Sequence, residues 1–111
     1  VDAGELERAA RVLDRAAAGA GDDPGYHALQ GAIAQRLGRH EAAMAAYTRA
    51  LDGDGSRGRW WLGLGISLAA TDHPGEARAA FREARASGDL SERLDSWARG
   101  RIRALADPDG G

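Results

Sequence analysis

The chain repeats itself every 34 residues. Gly31, Ala43, Tyr47 and Ala50 recur as Gly65, Ala77, Phe81 and Ala84, and His27 recurs as Trp61. One step back from the first set stand Ala9, Leu13 and Ala16, so the stretches 5–13, 41–47 and 75–81 read as copies of one helix. A period of this length constrains the fold more than any composition does. Each unit buries its apolar face only against the next, which makes a stacked helical array rather than one central core.

Turn signals divide the chain into six helical pieces, near residues 4–18, 24–37, 40–52, 58–71, 74–87 and 91–105. Asp23-Pro24 and His73-Pro74 place proline at a first helical position, where its missing N–H costs nothing, and Ser91 suits the cap of the last helix. Gly19-Ala20-Gly21 and Gly53-Asp54-Gly55-Ser56 are expected to end helices with residues that tolerate positive φ. In the last piece Leu94, Trp97, Ala98, Ile102 and Leu105 form one apolar stripe, as a closing helix requires. Between paired helices, Gly31 and Gly65 remove a side chain where backbones must approach. Ala43, Ala50, Ala77 and Ala84 do the same on the facing helix, and Tyr47 and Phe81 supply the bulk between them.

Twenty-five alanines and 16 glycines suit helices packed through small side chains. With 15 basic residues, all arginine, against 17 acidic ones, the net charge of −2 argues against a nucleic-acid binder. No cysteine is present, so a disulfide scaffold and a thiolate metal site are excluded. The longest nearly apolar run, 60–70, is too short to cross a bilayer, and no signal peptide is visible at the amino terminus.

Chemistry finds little purchase in the remaining motifs. His27, His40 and His73 stand at unrelated steps of the repeat without i, i+4 partners, so no metal, cofactor or general-base role is expected. His27 reads instead as a packing substitute for the tryptophan of the next repeat. Gly63-Leu64-Gly65 begins like a dinucleotide fingerprint but lacks the third glycine and the preceding strand; packing accounts for Gly65, and Gly63 is left without a role. Ser67 has no recognisable triad and is read as a packing residue. Arg99, Arg101 and Arg103 do not share a helix face, and Arg99 is expected to pair with Asp95 at i+4. Trp60 is expected to pack on the preceding second helix near Leu51, with an exposed binding anchor as the alternative.

Helix pairs of 34 residues carrying Trp61, Leu64, Gly65, Ala77, Phe81 and Ala84 resemble the tetratricopeptide repeat. The resemblance implies an all-α, right-handed α-α superhelix of about six antiparallel helices in one domain over 1–111. Residues 1–23 would be a second-helix remnant of a preceding repeat, 24–57 and 58–91 two full repeats, and 91–106 a capping helix. In the first full repeat His27, Gln30 and Ala34 replace the family's Trp, Leu and large residue, and Gly55 and Asp89 stand where it has its closing Pro.

Members of that family bind partner peptides or helices in a groove lined by first helices. The matching positions here are Ala28, Ala32 and Gln35, then Arg59, Leu62, Ile66 and Ala69. The resemblance therefore implies a non-enzymatic interaction module with a mostly apolar groove for a protein or peptide partner. It lacks the Lys and Asn set that grips a C-terminal carboxylate. Two other covers for Leu62 and Ile66 stay open, the chain's own neighbouring helices and a second copy in a homo-oligomer.

The stretch Arg59-Trp60-Trp61-Leu62-Gly63-Leu64-Gly65-Ile66-Ser67-Leu68, followed by Ala77–Arg82 and by Leu90-Ser91, also resembles the carboxy-terminal repeat region of mannose-sensitive haemagglutinin (MSHA) type IV pilus biogenesis proteins. That likeness implies a bacterial protein anchored in the inner membrane ahead of this segment, with repeats on the periplasmic side that assist pilus assembly. Without it, a cytoplasmic location is expected.

Overall fold

A computed structural model describes residues 2–20 and 23–106, the side chains of 16–20 and 106 excepted. The helices are α1 (Ala3–Ala20), α2 (Pro24–Arg36), α3 (His40–Gly53), α4 (Gly58–Ala70), α5 (Pro74–Ala86) and α6 (Glu92–Ala106), with no strand among the described residues. The all-α expectation holds, and each boundary lies within two residues of its expected place. Each helix packs chiefly on its neighbours in sequence, and α2 also touches α4. The result is an elongated stack, 47 × 27 × 22 Å.

The helix starts follow local chemistry. The Asp23 carboxylate accepts the Gly25 N–H at 3.1 Å ahead of Pro24, and Ser91 Oγ accepts the Leu94 N–H at 3.2 Å. The helix ends differ from expectation. Among the described residues positive φ falls at Gly38 (76°), Asp72 (63°) and Gly88 (77°), not in 53–56. α1 runs through Gly19 to Ala20, and Gly21 lies outside the described residues. Gly53, the last residue of α3, is small for a different reason, because a Cβ there would come within 2.5 Å of the Pro24 ring.

Two clusters of buried side chains make the interior. Ala28, Ala43, Tyr47 and Ala50 form one, and Leu62, Leu68, Ala77, Ala80, Phe81, Ala84 and Ala98 form the other. Leu64 packs on both and joins them. Glycine meets aromatic ring in each: a Cβ on Gly31 would come within 2.9 Å of Tyr47, and one on Gly65 within 2.7 Å of Phe81. Gly63, unassigned from sequence, belongs to the same device, since a Cβ there would stand 2.6 Å from Tyr47 Cε2. Tyr47 is thus pressed between the glycines of two successive first helices.

Candidate functional site

The first helices α2 and α4 touch, and neighbouring cavities indent the surface along α1, α2, α4 and α6. The central one, about 560 Å³, is bordered by Ala28, Leu29, Ala32 and Gln35 of α2, by Arg59, Trp60, Leu62, Gly63 and Ile66 of α4, by Tyr47 of α3 and by Leu94 of α6. A second, about 380 Å³, lies between Ile66, Ala69 and Ala70 of α4, Phe81 of α5, and Trp97 and Arg101 of α6. A third, about 400 Å³, is bordered by Glu5, Arg8, Ala9, Val12 and Leu13 of α1 and by Leu29 and Ile33 of α2. Leu29 belongs to the third cavity and the central one, and Ile66 to the central and the second. The four large apolar side chains exposed among the described residues are Val12 (57%), Leu29 (50%), Trp97 (43%) and Ile66 (36%), and all four border these cavities.

The structure brings six of the seven expected groove residues to the central cavity and changes the role of four, Ala28 being 7% exposed and part of the smaller buried cluster. Leu62 is only 5% exposed and sits in the larger buried cluster, so it is floor rather than accessible wall. Leu94 of α6 helps enclose that floor, a contact that the groove positions alone did not anticipate. Ala69 lies away from the central cavity, in the second one. Gln35 borders the central cavity, but its amide nitrogen is committed internally, donating to Gly63 O at 2.7 Å and to Ser67 Oγ at 2.8 Å.

Those bonds correct the reading of Ser67 as a simple packing residue. Its hydroxyl is fully buried, accepts from Gln35 and lies 3.1 Å from His40 Nδ1, so α2, α3 and α4 are tied by one polar network. His40 therefore has a partner, across 27 residues of sequence. The enclosed hydroxyl offers no approach to a substrate, and the pairing holds helices together.

Around the rim, Arg59 is exposed, and its charge acts on Tyr47. Burial pushes the Tyr47 phenol above its ordinary pKa, and the Arg59 guanidinium pulls the other way. Trp60 is half-buried against the Ala28, Ala43, Tyr47 and Ala50 cluster, with the Arg57 guanidinium 5.6 Å from its ring centroid. Trp61 turns away from the cavity, packs on the other cluster and donates its indole N–H to Gly55 O at 2.9 Å. His27 is buried, its Nδ1 3.0 Å from Gln30 Oε1. The remaining packing positions, Ala43, Ala50, Ala77 and Ala84, are fully buried, while Leu64 is half-buried.

No protein-family model matches the chain, and no curated protein matches it. Solved structures do. The translocator chaperone SycD of the Yersinia enterocolitica type III secretion system superposes with a TM-score of 0.89 at 17% identity, over 97% of this chain and 77% of SycD. PcrH, solved with the chaperone-binding region of PopD, gives 0.86 at 22% identity, over 96% of this chain and 83% of PcrH. The Sgt2 tetratricopeptide domain of Aspergillus fumigatus gives 0.84 at 20% identity, over 97% and 73%.

The chain has a tetratricopeptide-like fold. Within that fold the sequence reading missed Leu29, Leu94 and Trp97 as cavity residues. The signal was present for two of them: Leu29 and Trp97 stand one repeat before and one repeat after Gly63, at the position that meets the preceding second helix. Trp97 packs edge-on to Phe81, with centroids 5.5 Å apart at 87°.

Proposed function

We propose that the chain is a protein-interaction module that holds an apolar segment of a partner along the face of its first helices, with 24–57 and 58–91 as repeats and the last helix closing the array. The observation that carries this reading is the set of three neighbouring cavities, sharing Leu29 and Ile66, that Val12, Leu29, Ile66 and Trp97 border. Exposed apolar groups gathered along one groove mark a binding surface. The use that SycD makes of this fold, seen in its complex with a peptide of the translocator YopD, supports the same use here. A setting in bacterial pilus or secretion assembly, with the repeats on the periplasmic side, rests on the resemblance of residues 59–91 alone. It is tested by whether partners captured through the groove belong to such a machine.

The test is selection of a random dodecapeptide display library on the wild-type chain and on a Leu29→Asp, Ile66→Asp double variant. Both side chains are accessible, so a circular-dichroism spectrum matching wild type is expected. Peptides enriched on the wild type should bind the double variant at least about tenfold more weakly, since each replacement removes an apolar contact and buries a charge. Equal enrichment on both would contradict the groove. A second reading, self-association, is favoured by the exposure of Val12 and Leu29 at the α1 end. An apparent mass that rises with concentration in sedimentation, and is restored to monomer by Val12→Asp, would support it.

A further inference from the structure

The third cavity is bordered by both Glu5 and Arg8, but the charges at the other two are one-sided. Acidic residues outnumber basic ones in the chain, 17 to 15, yet none borders the central cavity or the second cavity among the described residues. Arg59 is the one charged residue at the first, and Arg101 the one charged residue at the second. Neither forms an ion pair among the described residues, so each keeps its guanidinium for an incoming group. A wholly apolar occupant that covered either guanidinium would strip its water and return no acceptor, which is costly. An occupant that covers them brings an acceptor of its own, and a carboxylate fits a guanidinium fork best.

Resting on the reading of the groove as a partner site, we propose that its occupant is a segment in which apolar side chains enter beside Leu29, Ile66 and Trp97 while acidic side chains meet Arg59 and Arg101. Arg59 precedes Ile66 by seven residues, about 10 Å of helix, and the cavity that holds Arg101 begins at Ile66. The two carboxylates therefore stand on either side of the apolar residue seated at Ile66.

The library selected on the wild-type chain decides the matter. Sequences dependent on Ile66 should be enriched in Asp or Glu on both sides of an apolar residue. For a fluorescein-labelled member followed by anisotropy, Arg59→Gln and Arg101→Gln should each weaken binding about threefold. Thermal melts matching wild type keep those variants interpretable, and raising salt from 50 to 300 mM should weaken binding to wild type more than to an Arg59→Gln, Arg101→Gln double variant. Ile66-dependent peptides without acidic enrichment, and indifferent to both arginine variants, would overturn the proposal while leaving the groove intact. Enrichment of a free terminal carboxylate alone, abolished by amidation, would also overturn it. No Ile66-dependent peptide at all would sink both readings together.

Discussion

Tyr47 and Phe81 occupy the same step of the repeat, and each is overlain from its own helix pair by a glycine, Gly31 or Gly65. From the following first helix they are met by opposites. Gly63 lets α4 settle onto the Tyr47 ring, whereas Trp97, one repeat later, stands edge-on to Phe81 and leaves an open cavity beside it. The period decides where the aromatic goes; the residue at the next step decides whether the junction is closed. The closed junction carries a further tie, from Gln35 to Gly63 and Ser67, for which the other has Ala69, Trp97 and Arg101 at the corresponding places. A similar exchange occurs where the pairs begin. Pro24 faces Gly53 in the first pair, while in the second Gly58 faces Ser87, with the small residue on the other side of the contact.

If both rings are keystones, removing either should open a cavity, and the fully buried one should cost more. Phe81→Ala is expected to destabilise by about 4 kcal/mol and Tyr47→Ala by about 3 kcal/mol in urea denaturation. Equal small losses would break the comparison. Crowding at the closed junction gives a sharper test. Gly63→Ala should lose about 2 kcal/mol despite the better helix propensity of alanine, because the added methyl collides with the Tyr47 ring. In a Tyr47→Ala background the same change should become neutral or favourable, and an additive cycle would refute the contact.

The turns inside the two helix pairs share a backbone step but fill it with different residues. Gly38 and Asp72 are 34 residues apart and share positive φ, 76° and 63°. Asp72→Gly should therefore raise stability by about 0.5–1 kcal/mol, read as a higher urea midpoint, while Gly38→Ala lowers it. The smallest effect concerns acid. Arg85 hydrogen-bonds the Asp95 carboxylate at 2.9 and 3.4 Å, and Arg99 adds a contact at 3.3 Å. These hold Asp95 below the ordinary carboxylate range, the Arg85 hydrogen bond contributing most. A group with a lowered folded pKa stabilises above its unfolded value and loses that contribution as pH falls through the folded one. Tm should thus fall slightly more between pH 5 and pH 2.5 in the wild type than in Asp95→Asn, and identical curves would remove Asp95 from the account.

The arrangement of helices was legible because each apolar position recurs at a fixed step, and because Pro24, Pro74 and Ser91 mark starts by chemistry local to a few residues. The expected Arg99–Asp95 pair is likewise a matter of one helical turn. What could not be read depends on partners far along the chain. Leu62 is buried because Leu68, Phe81 and the last helix enclose it, and Gln35 is occupied by groups 28 and 32 residues away. Ser67 and His40 meet across 27 residues with no pattern to announce it. Leu29 and Trp97 were readable in principle, since they share a register with Gly63, but a glycine, a leucine and a tryptophan at one step do not look alike.

The three tryptophans report directly on the central claim, that the face of the first helices is the working surface. Trp60 borders the central cavity and Trp97 the second, while the Trp61 indole N–H is held by Gly55 O away from both. Indole resonances in a ¹⁵N-labelled sample, titrated with a library peptide selected for Ile66-dependent binding, separate the three. The account predicts shifts at Trp60 and Trp97 with Trp61 unmoved. A shift confined to Trp61, or saturation of binding with Trp60 and Trp97 unchanged, would contradict it.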